Sequence, residues 1–196
     1  MTLQMNYSGL YKVISGGQTG ADQGGLLAAW RAGVETGGTA PSLYKTQIGH
    51  NPLLEVLGLT TGGDYNFRTR RNVLDSNATV IVAADLESSG SRLTRRLCIE
   101  NERPYLDIGI ADIVRLASMG PAAGTEPVLS RIIERGQRLA DFCLKHQVGI
   151  LNVAGNRELP STGQAYGTMV ITSITDWVVG MALELLELEG KLITRP

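Results

Sequence analysis

The sequence predicts an α/β fold, a mostly parallel central sheet between two layers of helices, and three observations carry that prediction. Apolar runs of strand length alternate with helical patterns along most of the chain. One of these runs, Ala78 to Ala84 (ATVIVAA), is continuously apolar, as expected of a strand buried on both faces. The segments that follow the proposed strands are polar and rich in small residues, as at the ligand-binding rim of a Rossmann-like three-layer sandwich.

Leu10 to Ser15 reads as the first strand. After the glycines of VISGGQTGADQGG, a helix spans Ala21 to Arg31, with Leu26, Leu27 and Trp30 on one side. A short segment ends at Gly33-Val34, followed by Gly37-Gly38. Residues 40–65 carry Pro41, Gly49, Pro52, Gly58, Gly62 and Gly63, which predicts an irregular excursion placed like a flap. Asn66 to Asp75 forms a short helix, Ala78 to Ala84 a central strand, Leu93 to Glu102 a helix and Pro104 to Ile108 another strand. Glu126 to Lys145 is amphipathic, with Leu129, Ile132, Ile133, Leu139, Ala140 and Cys143 directed inward. Gly149 to Val153 is the fifth strand. A last helix, about 163–189, carries Val170, Ile174, Trp177, Val178, Met181, Leu185 and Leu188 at helical spacing. Val179, Ala182, Leu183 and Leu186 make it apolar beyond one face, which points to burial against another subunit in a dimer or tetramer. Trp30 and Trp177 are expected in the core or at an interface.

With 196 residues and 43% hydrophobic content, at a mean hydropathy of +0.01, the chain is expected to form one domain over 1–196. Lys+Arg 18 against Asp+Glu 19 leaves a formal charge of −1, without the global signature of a nucleic-acid or membrane binder. Only 5% aromatic residues argue further against a single-strand binder, which needs stacking platforms. Asp176, Glu184 and Glu187 argue against a membrane span in the last helix. Cys98 and Cys143 read as reduced core thiols, and His50 and His146 follow no zinc spacing, so no metal site is expected. The start MTLQMNYSGLYK lacks the basic and long apolar regions of a signal peptide, and a cytoplasmic location is expected.

The candidate site is the set of segments that follow the strands: Gly16-Gly17-Gln18-Thr19-Gly20, Gly37-Gly38-Thr39, Asp85 to Ser91 with Ser89, Gly90 and Ser91, and Gly155-Asn156-Arg157-Glu158. Glycines after the first strand would let backbone N–H groups and the helix N-terminus at Ala21 meet an anion, most simply a phosphate, with Thr19 adding a hydroxyl. The alternative is a tight strand–helix turn without a ligand. The loop lacks the Lys-Ser/Thr ending of a P-loop and has no G-x-G-x-x-G at the junction. Gly24 and Gly25, costly inside a helix, imply close packing against a neighbouring backbone. Asp22 is either a first-turn carboxylate favoured by the helix dipole or a group that holds a metal, a hydroxyl or an arginine in the site. Arg68, Asn72 and Asp75 share a helix face, from which Arg68 can reach a phosphate. Arg71 and Asp75 equally suit a surface ion pair. Arg92, Arg95 and Arg96 form a second basic cluster, either an extension of an anionic groove or a solvated helix face.

Three stretches, Ser15 to Asp22, Arg68 to Ser76 (RTRRNVLDS) and Leu151 to Glu158 (LNVAGNRE), resemble the molybdenum cofactor carrier family. That family sits in a Rossmann-like superfamily with lysine-decarboxylase-like phosphoribohydrolases, DNA-processing protein A and nucleotide-sensing domains. The resemblance runs from about Lys12 to the last helix and implies a phosphate-bearing ligand, nucleotide-like or the pterin cofactor itself, and an oligomeric assembly. This chain departs from the family's pattern at three places. Thr39-Ala40-Pro41 replaces a Trp-Cys-Pro stretch, Ser88-Ser89-Gly90-Ser91 stands for Ser-Gly-Gly-Thr, and Gly155-Asn156-Arg157-Glu158-Leu159 for Gly-Pro-Arg-Glu-Ser. Arg157 and Glu158 are the parts carried over.

Three function classes follow. A carrier or binding protein for a phosphorylated nucleotide-like molecule ranks first, because no obvious nucleophile–base pair is present; the molybdenum cofactor or a nucleotide signal would be its cargo. A nucleotide N-glycosidic-bond hydrolase ranks second, with Glu158 or Asp22 as the carboxylate and Arg68 or Arg157 at the phosphate, although the enzyme group's Pro-Gly-Gly-x-Gly-Thr loop is missing. A nucleic-acid-handling module ranks last.

Overall fold

The computed structural model describes residues 7–119, 124–158 and 170–195. The elements run β1 (Lys12–Ser15), α1 (Ala21–Arg31), β2 (Glu35–Ala40), a 3-10 turn at Ser42–Tyr44, β3 (Lys45–Thr46), β4 (Gly49–His50), α2 (Leu53–Val56), β5 (Leu59–Thr61) and α3 (Tyr65–Leu74). They continue as β6 (Ala78–Ala83), α4 (Ser89–Glu100), β7 (Tyr105–Gly109), α5 (Ala111–Ser118), α6 (Glu126–Lys145), β8 (Ile150–Gly155) and α7 (Val170–Leu188). A six-stranded sheet has the order β5-β2-β1-β8-β6-β7, and every pairing within it is parallel. The expected α/β class with its Rossmann-like parallel sheet is what the chain adopts.

Side-chain alternation along β6 assigns the two faces. All six residues are buried; Val80 and Val82 join the main core cluster with Leu139, Ile174 and Leu183 of α6 and α7. The alternate Thr79 side chain instead reaches Cys98 of α4. Helices α1, α5, α6 and α7 therefore cover one face, and α3 with α4 covers the other.

The excursion contains an element that its glycines and prolines concealed. Leu59–Thr61 is a short parallel edge strand paired with β2, Gly38 lying opposite Leu59. Gly37, Gly38 and Thr39 lie inside β2 rather than beyond it. At Gly38 a Cβ would stand 2.2 Å from the Ser15 carbonyl oxygen, so the bare backbone there serves strand packing.

α7 lies between α1 and α6, and glycines set both contacts. A Cβ on Gly24 would come within 2.5 Å of the Thr172 carbonyl oxygen, and one on Gly136 within 2.5 Å of Met181 Cγ. Val179, Ala182, Leu183 and Leu186 are thereby buried inside this chain. The apolar excess of the last helix is accounted for without a second subunit. By contrast, Trp30 and Trp177 are about half exposed, and Leu129 and Ile133 face outward. For the two tryptophans this excludes the core of the chain, while an isolated amphipathic period misassigns Leu129 and Ile133 as inward because it cannot tell which of two neighbouring helices closes over a face.

Candidate functional site

The order of the strands reverses at β1: β2 and β5 follow it on one side, while β8, β6 and β7 lie on the other. In open parallel sheets a crevice forms at such a reversal, beyond the carboxyl ends of the strands. A cavity of about 600 Å³ occupies that position, lined by Gly16, Gln18 and Asp22 after β1, Tyr65, Arg68, Thr69 and Asn72 of α3, Asp85 to Gly90 residues after β6, and Asn152 to Arg157 residues of β8 and its loop.

The loop after β1 turns several of its N–H groups onto protein acceptors. Gly17 N–H donates to Ser15 Oγ (3.2 Å), Gln18 N–H to Asp22 Oδ2 (3.1 Å) and Gly20 N–H to Thr172 Oγ1 (3.0 Å). Ala21 N–H donates to the Asn156 carbonyl oxygen (3.0 Å) and Gln23 N–H to that of Gln18 (3.2 Å). What this loop presents to the cavity is a carboxylate. A Cβ on Gly16 would stand 2.8 Å from Asp22 Oδ2, so the glycine leaves room for that group. Asp22 keeps part of its surface toward the cavity. Burial raises its pKa from 3.8 to about 6, against the pull of the Gln18 N–H, Arg68 and Arg157.

α3 supplies the opposite charge. Asp64 caps the helix by accepting from Phe67 N–H (2.8 Å). Arg68, only 6% exposed, donates from Nη1 to the Gly16 carbonyl oxygen (3.3 Å). Burial lowers its pKa, with Asp22 the largest opposing influence. The Tyr65 ring centroid lies 5.4 Å from Arg68 Cζ and 5.5 Å from Arg157 Cζ. Burial raises the Tyr65 pKa, as does the nearby Asp22.

α4 begins four residues earlier than the apolar pattern predicts, because the Ser88 hydroxyl accepts from Ser91 N–H (3.3 Å) and caps it. Its first two residues, Ser89 and Gly90, line the cavity. Their N–H groups have no acceptor within the helix. Asn156 fixes this turn to β8: its Oδ1 accepts from Asp85 N–H (2.7 Å), and its Nδ2 donates to the Asp85 carbonyl oxygen (3.2 Å) and to Ser88 Oγ (3.0 Å).

The family model described as "Circularly permutated YpsA SLOG family" matches residues 13–173, from β1 into the first turn of α7. The chain belongs to that family. A crystal structure from Syntrophus aciditrophicus, of a protein named as a candidate molybdenum carrier, is similar at 27% identity and a TM-score of 0.71, covering 90% of this chain and 96% of that one. No curated protein matches. The stretch shared with the family spans every segment that builds the cavity.

Within this family member, the structure brings together Gly16, Gln18, Asp22, Arg68, Asp85, Ser88, Ser89, Gly90, Gly155, Asn156 and Arg157 of the expected site residues. The others lie elsewhere. Gly17, at φ +72°, packs on Leu54 and Leu59. Thr19 is buried and donates to Gln47 Oε1 (2.6 Å). Gly20 packs on the Asn156–Glu158 backbone. Thr39 is held through its backbone by the Asn72 amide, and the Ser91 hydroxyl is tied to Ser88. Glu158 is a correction of chemical weight. Its Oε1 accepts from Ile171 N–H (2.9 Å), and its Oε2 from Thr172 N–H and Oγ1 (both 2.9 Å). It caps α7 and leaves the candidate carboxylate role to Asp22. Asp75 is exposed and pairs with Arg71 (2.7 Å). Of the second basic cluster, Arg95 turns to Asp107 and Glu87 and Arg96 to Glu100, and none of the three arginines lines the cavity. Leu159 lies outside the described residues.

Sequence reasoning missed Tyr65, Thr69, Thr94, Asn152, Ala154 and Gln47 as lining residues. Tyr65 was within reach, standing three residues before Arg68 on one helix face. Gln47 had no such signal, because it arrives from the β3–β4 hairpin of the excursion. Among the described residues, no group of three or more His, Cys, Asp and Glu side chains stands where it could hold a metal ion. No described helix is long and apolar enough to cross a membrane.

Proposed function

We propose that the protein binds and carries a phosphorylated, nucleotide-like small molecule in the cavity beyond β1, β8 and β6. The observation that carries this reading is the facing of two guanidiniums, Arg68 and Arg157, with the open first turn of α4 in one cavity. Guanidiniums and a helix N-terminus favour the same ligand group, a phosphate. The lining carboxylates, Asp22 and Asp85, balance the two arginines in number. Recognition therefore rests on local geometry rather than on net charge, and the exposed Asp85 carboxylate suits a hydroxyl or ring N–H donor on the rest of the ligand. The Syntrophus protein is named as a candidate molybdenum carrier, which together with the resemblance to the molybdenum cofactor carrier family supports that cofactor, a phosphorylated pterin, within this class. Cys98 and Cys143 are both buried, so such a cargo would be held by its phosphate and ring rather than through protein thiolates.

One observation favours a second reading. A carboxyl group with a pKa of about 6, beside two arginines, suits proton transfer near neutral pH, as hydrolysis of a nucleotide glycosidic bond requires. Native mass spectrometry with AMP, ADP-ribose, NAD, cyclic nucleotides and a phosphorylated pterin separates the two. Intact ligand retained at stoichiometric occupancy supports the carrier. Release of free base with ribose phosphate supports the hydrolase and assigns Asp22 as its acid–base. Retention of none of them sinks both.

A further inference from the structure

We propose that Tyr65 is the positioning residue of the anion site, holding Arg68 and Arg157 on one ring and setting both against the first turn of α4. The proposal rests on the phosphate-binding reading of the cavity and goes beyond it, since it concerns how two like charges from distant segments are kept together before a ligand arrives.

Arg68 and Arg157 lie on α3 and on the loop after β8, and nothing in the chain's connectivity brings them together. The two cations repel: Arg157 is among the influences that lower the Arg68 pKa, after the larger effect of burial. The Asp22 carboxylate offsets part of that repulsion for both. An aromatic ring supplies the rest, because its negative face attracts a guanidinium within about 6 Å of the centroid. The Tyr65 ring meets that distance for both side chains, at 5.4 Å and 5.5 Å. For Arg68 the contact follows from helical spacing, three residues apart. Arg157 is exposed at the cavity mouth, where an unrestrained arginine would lose much rotamer entropy on binding. The ring removes part of that cost in advance.

The hydroxyl end fixes the direction of the ring. A Cβ on Gly90 would stand 2.7 Å from the Tyr65 hydroxyl oxygen, so the absence of a side chain at the second position of α4 makes room for it. Tyr65 thus spans from the arginines to the helix N-terminus that faces them. Tyr65 is 39% exposed and belongs to none of the core clusters, so its removal should spare the fold.

Pyrophosphate is a suitable probe because it lacks a base or pterin. Calorimetric titration of the wild type should give a dissociation constant that Tyr65→Leu weakens about tenfold, the loss of roughly two exposed cation–π contacts. Tyr65→Phe and Tyr65→Trp should stay within about threefold of wild type, because both keep a ring. The salt dependence of binding should also flatten in Tyr65→Leu, as one of two guanidiniums disengages. Gly90→Ala is the second variant, since its methyl displaces the Tyr65 hydroxyl while leaving every residue of α3 in place; it should weaken pyrophosphate binding with an unchanged melting temperature. Wild-type affinity and salt dependence in Tyr65→Leu would overturn the positioning role while leaving the anion site standing. Failure of the wild type to bind pyrophosphate would remove the anion site, and this proposal with it. Equal losses in Tyr65→Leu and Tyr65→Phe would overturn the role of the ring and assign the effect to the hydroxyl.

Discussion

The loop from Gly16 to Gly20 and the loop from Asp85 to Gly90 each join a buried strand to a helix N-terminus at the same rim, and they spend their polar groups differently. The first is glycine-rich and turns the N–H groups of Gly17, Gln18, Gly20 and the following Ala21 inward, onto Ser15, Asp22, Thr172 and Asn156. It shows the cavity a carboxylate. The second has one glycine and two serines, is capped by Ser88, and shows the cavity the first turn of α4 with Arg68 and Arg157 nearby. Glycine content therefore reports how closely backbones pass, whereas the destination of each N–H reports where an anion can sit. In this fold the two signals separate.

The most severe test of that separation is a methyl group added to each loop. Gly20 has φ +95°, and a Cβ there would stand 2.3 Å from the Asn156 carbonyl oxygen, a backbone atom that cannot yield. Gly20→Ala should cost about 3–5 kcal/mol of stability, in the range of severe backbone and packing defects. Gly90→Ala meets only the end of the Tyr65 side chain and should melt within a degree or two of wild type, since substitutions away from such features stay within about 0.5 kcal/mol. Paired urea titrations decide the matter. A Gly20→Ala protein as stable as Gly90→Ala would break the distinction between a packing loop and a ligand loop.

A smaller effect is expected from the arginine at the mouth. Arg157 is exposed and carries no folding role comparable to that of Arg68. Arg157→Ala should weaken binding of the retained phosphorylated ligand about tenfold to a hundredfold, the range of one or two charge-assisted hydrogen bonds. Its melting temperature should not change. Wild-type affinity in that variant would leave Arg68 and the α4 turn as the anion's support and remove Arg157 from the site.

These contrasts also explain what the sequence disclosed. The parallel sheet was legible because ATVIVAA and its companions report burial on both faces. Gly24 and Gly25 were read correctly as packing glycines, and they meet Thr172 and Val153. Eleven expected site residues do line the cavity. Glu158 misled because its position after β8 is right, while its carboxylate is claimed by α7, which lies beyond any local pattern. Gly37, Gly38 and Thr39 misled because β2 continues through them to pair with β5, a strand of three residues too short to show a period. Burial partners from distant segments were the missing information in both cases.

The smallest effect sharpens the comparison most, because it sets the two loops against each other. Asp22, with a pKa raised to about 6, is ionised at pH 7 and repels the anion that the α4 turn attracts. Affinity for ADP-ribose, whose diphosphate diester keeps a fixed charge over this range, should rise a few-fold as pH falls from 7 through 6, since relief of one screened charge is worth about 1 kcal/mol. It should then level off once Asp22 is protonated. Asp22→Asn should bind at pH 7 as the wild type does at pH 5, and its affinity should be flat between those limits. Stability follows the same proton with its own sign. A carboxyl whose folded pKa lies above its unfolded value of 3.8 contributes stability that is complete below 3.8 and lost as pH rises through about 6. The melting temperature of Asp22→Asn should therefore exceed that of the wild type at pH 7 and match it near the unfolded value. Should affinity instead fall on acidification, Asp22 must accept a hydrogen bond from the ligand in its ionised form, and the first loop would be a ligand loop after all.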